Sequence, residues 1–78
     1  MDKNVVIYST PSCPWCHRVK QFLQEKNVTF QDFDVSQNQD KAEEMVQKSG
    51  QMGVPVVDIN GEIIVGFDRD RIEEVLGL

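Results

Sequence analysis

The sequence predicts an α/β fold of order β-α-β-α-β-β-α, in which three helices flank a four-stranded mixed sheet. Three observations carry this reading. Short β-branched runs alternate with stretches whose apolar residues recur at helical spacing. Two such runs near the C-terminus are separated only by Asn60-Gly61, a pair that supplies the positive φ angles of a two-residue hairpin turn. A helix-period stretch also lies between the first two runs, and a strand-helix-strand unit is expected to be parallel with a right-handed crossover.

Val5-Val6-Ile7-Tyr8 is too short for a helix and apolar without alternation, as expected of a strand covered on both faces. Ser9-Thr10-Pro11-Ser12 is a turn-rich loop. From Pro14 to Lys26 the apolar positions Cys16, Val19, Phe22 and Leu23 share one helical face, and Pro14 suits a first turn, where its missing N–H costs nothing. Asn27 is a plausible stop. Val28 to Val35 reads as the second strand, with Phe30, Phe33 and Val35 as its buried members. Ser36 followed by Gln39 matches a capping box, and the apolar stripe of Ala42, Met45 and Val46 then runs to Gly50, which suits a helix C-terminus. Val54 to Ile59 and Glu62 to Val65 form the antiparallel hairpin. Asp68 caps a last helix carrying Ile72, Val75 and Leu76 on one face.

The chain has 78 residues, enough for a single domain spanning 1–78, with a stability of about 5 kcal/mol. Its two cysteines stand three positions apart, so a bond between them closes too small a loop to constrain the unfolded chain much. A structural disulfide is therefore not expected. No apolar run approaches a membrane span, and Met1-Asp2-Lys3-Asn4 leads into a strand rather than a signal-peptide core, so the expectation is a soluble, cytoplasmic protein without membrane contact. The net charge of -5 argues against nucleic-acid binding, which needs a basic face. The charge is uneven: His17, Arg18 and Lys20 follow the cysteines, suited to partners with acidic docking faces, while acids gather from Asp32 to Glu44.

In a reducing cytosol a lone C-x-x-C is more often catalytic or metal-binding than a permanent cross-link. Zinc takes about four ligands, and two cysteines with one histidine fall short, so no metal site within one chain is expected. A cluster shared between two chains stays open. A strand that delivers a cysteine through a short loop to a helix start puts its sulfur where unpaired N–H groups and the helix dipole favour negative charge. Cys13 has that position. Cys16, one turn later on the same side and deeper, is apt to attack the first sulfur once Cys13 is joined to a partner. Trp15, between them, offers an apolar contact for an incoming disulfide. His17 reads as a solvated helix residue, and Arg18 and Lys20 as surface charges. For Val54-Pro55 the general preference of X-Pro bonds favours trans.

The opening strand ending in Tyr8, the run Cys13-Pro14-Trp15-Cys16-His17-Arg18-Val19-Lys20, the Val54-Pro55 step and Gly66-Phe67-Asp68 together resemble the glutaredoxin family over nearly the whole length. The resemblance implies the thioredoxin fold, thiol–disulfide oxidoreductase activity and a cis Pro55 beside the cysteines. It implies that the Val54 backbone pairs with bound peptide or glutathione, and that N–H groups near Phe67 and Asp68 hold a γ-glutamyl carboxylate, as helix starts hold anions. It also implies disulfide-containing protein substrates and permits an iron–sulfur-bridged dimer, as in some members; the expectation for this chain is a monomer with no tightly bound cofactor. Thr10, Gly53 and Val65 stand where glutathione-using members carry lysine, threonine and glycine, and Gln51 where a basic residue is common. Gly66-Phe67 with Asp68-Arg69-Asp70-Arg71-Ile72 resembles instead the redoxins that thioredoxin reductase reduces and that serve ribonucleotide reductase. Glutathione and thioredoxin reductase thus both stand as electron sources implied by resemblance.

Overall fold

The computed structural model describes residues 4–78; Met1, Asp2 and Lys3, part of the segment read as lacking a signal-peptide core, lie outside them. Its elements are β1 (Val5–Ser9), α1 (Pro14–Glu25), β2 (Gln31–Asp34), α2 (Gln39–Ser49), β3 (Val56–Ile59), β4 (Glu62–Val65) and α3 (Arg69–Leu76). The strands lie in the order β2-β1-β3-β4. β1 runs parallel to β2 and antiparallel to β3, and β3 pairs antiparallel with β4. The expected mixed sheet and element order are therefore what forms.

The pleat sends alternate residues of each strand to opposite faces, and each face builds its own core. Val5 and Ile7 of β1 with Val57 and Ile59 of β3 meet Val19, Phe22 and Leu23 of α1 and Ile72 of α3. Val6, Tyr8 and Val56 point the other way, onto Met45 of α2. β1 is buried along its entire length because helices cover it on both sides. That matches its unbroken apolar sequence.

The hairpin turns at the expected place, but its first strand starts at Val56 rather than Val54, because Val54-Pro55 leaves the sheet. Asn60 and Gly61 have φ of 52° and 94°, and the Asp58 carboxylate accepts a hydrogen bond from the Gly61 N–H at 2.8 Å. The second strand differs from its expected extent. It covers only Gln31–Asp34, and Phe30, Phe33 and Val35 are half-buried rather than buried. β2 is a sheet edge, paired on one side alone, so its apolar residues meet fewer neighbours. Phe30 packs against the α1 and α3 core, Phe33 and Val35 against the α2 core.

The cap of α2 also differs. Asn38, not Ser36, accepts from the Lys41 N–H at 3.1 Å, while the Ser36 hydroxyl is bound to Asp34. An asparagine at this position caps as well as serine, and the turn after β2 draws Ser36 away. α1 stops one residue before the expected Lys26, with Asn27 at φ 59° turning the chain.

Candidate active site

The loop after β1 brings Cys13 to the N-cap of α1, with Pro14 as the first helical residue. Its backbone N–H reaches the Thr10 carbonyl at 3.3 Å, and the exposed His17 ring donates to the Pro11 carbonyl at 2.9 Å. The loop is thus fastened at both ends. Cys13 is half-buried and Cys16 fully buried, both as free thiols. The Cys16 N–H donates to the Cys13 sulfur at 3.1 Å, one of the unpaired donors of a helix start turned onto the side chain.

The second wall comes from the Val54-Pro55 step, whose peptide bond is cis. The general X-Pro preference pointed to trans; the family resemblance pointed to what is found. The Cys13 sulfur lies 3.9 Å from the Val54 carbonyl oxygen. The Gly66 N–H donates to the Pro55 carbonyl at 2.8 Å, tying the proline loop to Gly66-Phe67-Asp68. Gly66 takes a φ of 80° to do so, a conformation that disfavours any side chain. Trp15, Val54, Pro55, Gly66 and Phe67 line a groove of about 250 Å³. Trp15 is 54% exposed along it. Asp68 is committed to capping α3, accepting from the Arg71 N–H at 3.1 Å.

The Cys16 thiol is pushed up to about 12, first by burial and then by its hydrogen bond with Cys13, while the Thr10 backbone and the Lys20 charge pull the other way. Cys16 is thus a thiol at neutral pH and must lose its proton before it can attack. Burial still disfavours the Cys16 thiolate once Cys13 is joined to a partner, so closure of a mixed disulfide by Cys16 is expected to accelerate about tenfold per pH unit between pH 6 and 8 without a plateau, read by stopped-flow release of the bound thiol. A plateau near pH 7 would show that burial does not control the step. Stability moves the opposite way. Below the free-thiol value near 8.5 both states keep the proton, whereas above it only the unfolded chain ionises, so the reduced protein loses about 1.4 kcal/mol per pH unit from there to about pH 10, above which Tyr8 and Lys48 add their own losses. Cys16→Ala should flatten that slope.

Two features went unread in the sequence. Lys20, read as a surface charge, is anchored by Asp32 at 2.8 Å. The other oxygen of Asp32 accepts from the buried Ser9 hydroxyl at 2.6 Å. The trio ties α1 to the two parallel strands one turn beyond Cys16; its only sequence signal was the i, i+4 spacing of Cys16 and Lys20. The departures at Gln51 and Gly53 are coupled. The Gln51 side chain folds over Gly53, accepting from its N–H and donating to its carbonyl at 3.1 Å. A Cβ at position 53 would come within 2.7 Å of the Gln51 amide oxygen.

A mixed four-stranded sheet with two thiols at the start of its first helix, facing a cis-proline, defines a thioredoxin-fold dithiol protein. The glutaredoxin family model matches residues 5–64. The chain is 46% identical to an uncharacterised glutaredoxin-like 8.6 kDa protein of the rubredoxin operon of Clostridium pasteurianum, over 92% of this chain and 96% of that one. It is 43% identical to glutaredoxin 3 of Escherichia coli, over 83% and 78% respectively. Among solved structures it resembles the thioredoxin-like protein BC3987, with a TM-score of 0.87 and 29% identity over 92% of this chain and 99% of that one. The chain belongs to the glutaredoxin family, a family of thiol–disulfide oxidoreductases.

Proposed function

We propose that the protein reduces disulfides of partner proteins, or glutathione-mixed disulfides, by dithiol exchange through Cys13 and Cys16. The observation that carries this reading is the Cys16 N–H on the Cys13 sulfur at 3.1 Å, with Cys16 itself buried one turn below. The Cys13 thiolate attacks one sulfur of the substrate disulfide, forming a mixed disulfide and expelling the other sulfur as a thiolate that takes up a proton. Cys16 then loses its proton and attacks the Cys13 sulfur. The internal disulfide forms and the second substrate thiol leaves. Two electrons pass to the substrate, and an external reductant restores the pair.

In this mechanism Trp15 and Phe67 flank the incoming disulfide, and the Val54-Pro55 step receives its extended backbone. Among the described residues the Val54 N–H has no partner, which suits pairing with a substrate strand. The starts of Phe67 and Asp68 supply N–H groups for a carboxylate if glutathione is the thiol bound.

One observation favours thioredoxin reductase over glutathione as the electron source. The Gln51 amide holds the Gly53 backbone, and Val65, half-exposed beside Gly66, replaces a glycine of glutathione-using members. Gln51 therefore lends no charge to a glutathione carboxylate where a basic residue is common, and Val65 adds bulk where a glycine leaves room. Reduction of the oxidised protein by thioredoxin reductase with NADPH is expected to outpace reduction by glutathione by about tenfold, the worth of ~1.4 kcal/mol of lost contacts. The reverse preference would overturn this donor while leaving dithiol exchange intact. Failure of the reduced protein to reduce any protein disulfide would sink the first reading.

A further inference from the structure

A second groove, of about 420 Å³, adjoins the one beside Cys13 and shares Phe67 with it; Arg18, Gln21, Phe22, Glu25 and Arg69 form the rest. Its charges are ordered. Arg18 comes first along α1 after Trp15, with its guanidinium 4.9 Å from the Trp15 ring centre. Arg69, at the start of α3, lies over the Phe22 ring at 5.2 Å. Phe22 in turn packs on Phe67, their centres 5.7 Å apart. Glu25 stands two turns beyond Arg18, at the far end of the helix.

Neither arginine is consumed by the fold. Among the described residues Arg18 has no carboxylate partner. Arg69 gives Glu73 its Nε at 2.9 Å, one of five guanidinium donors. Stacking on an aromatic face holds a guanidinium in place while leaving its edge free to bind a carboxylate. In a chain of net charge -5, two stacked arginines at the end of the substrate groove form a local reversal of sign.

We infer that Arg18 and Arg69 form a docking site for an acidic side chain of the protein substrate, close in sequence to its reacting cysteine. The inference rests on the proposed reduction of protein disulfides and adds the kind of partner. Arg18 lies five residues from Cys13, about 7.5 Å along the helix axis. An extended peptide covers that in about two residues. The substrate is therefore a protein whose cysteine carries an Asp or Glu about two positions away, on one side only. The ring-bearing walls take its neighbouring apolar side chains.

The test uses the reduced protein and short peptides, each with one cysteine joined to 2-thiopyridine, followed by release of the thione under single turnover. The peptides carry Asp, Asn or Lys two positions before or after the cysteine. Net charge alone predicts that the Asp peptides react slowest. The docking site predicts instead that Asp on one side reacts about tenfold faster than Asn, that Lys there reacts slowest, and that the order collapses in high salt. The Asp-to-Asn ratio should fall to about one in Arg18→Gln/Arg69→Gln, and Arg18→Glu should favour the Lys peptide. A ratio is read within one protein, so loss of active protein in a variant does not move it. Equal Asp and Asn rates in the unaltered protein, or a ratio unchanged in the double variant, would overturn the docking site alone. No reaction with any peptide would instead overturn the exchange reading on which it rests.

Discussion

Replacing Cys13 by serine is expected to lower disulfide reduction by about a thousandfold or more, since a hydroxyl cannot form the mixed disulfide through which exchange runs. The companion variant separates the two sulfurs. Cys16→Ser keeps the half-buried Cys13 thiol and its helix-start donor, so attack on the substrate proceeds, but the joined partner is no longer expelled from within. Mass spectrometry of Cys16→Ser mixed with a protein disulfide should show a stable adduct on Cys13, whereas Cys13→Ser should show none. Turnover retained in Cys13→Ser would mean that Cys16 attacks substrate directly. Its complete burial and raised thiol speak against that.

The second large effect lies on the opposite face of the sheet. Lys48 of α2 reaches Asp58 of β3 at 2.7 Å and the Tyr8 hydroxyl of β1 at 2.9 Å. Tyr8 in turn donates to Glu44. Asp58 is buried, so Lys48→Met, which keeps the alkyl packing, leaves its carboxylate without a cation and with the Gly61 N–H as its remaining donor. The expected cost is about 2 kcal/mol, roughly a thirtyfold shift in the folding equilibrium. It falls short of the 3 kcal/mol or so of a fully buried pair because Lys48 is a third exposed. Denaturant unfolding measures it. Lys48→Met/Asp58→Asn should recover most of the loss, and equal stability of the single variant and the wild type would show that water reaches Asp58.

The pH dependence of that network follows from its shifts. Asp58, and then Tyr8, hold the Lys48 ammonium above its ordinary value. That contribution is complete below about pH 10.4 and is lost as pH rises through the folded value. The Tyr8 hydroxyl, helped by Lys48 and Lys41, holds Glu44 below the usual carboxylate range. Its contribution is complete above the ordinary value of about 4.3 and is lost as pH falls. The gap between Lys48→Met and wild type should therefore be level from about pH 5 to 10 and narrow in acid.

How much of this was legible depends on how local its cause is. Asn60-Gly61 was readable because the turn's own dihedral angles require such residues. The start of α1 was readable because Pro14 and the apolar spacing behind it are local signals. Ser36 against Asn38 shows the limit of local reading: both suit a cap, and only the turn leaving β2 decides which side chain is free to act. β2 shows the same limit, since an apolar run does not reveal that its strand will be a sheet edge.

The order of elements, the hairpin turn, and the placing of Cys13 and Cys16 one turn apart at a helix start were readable from the chain, since each depends on residues within a few positions. The rise of the Cys16 thiol, the Tyr8-Glu44-Lys48-Asp58 network and the meeting of Arg18 of α1 with Arg69 of α3 at one groove came from folding alone. Those arise where segments 10 to 50 positions apart meet, and burial and charge proximity are properties of that meeting. A residue's ionisation and reach follow from what the fold sets beside it.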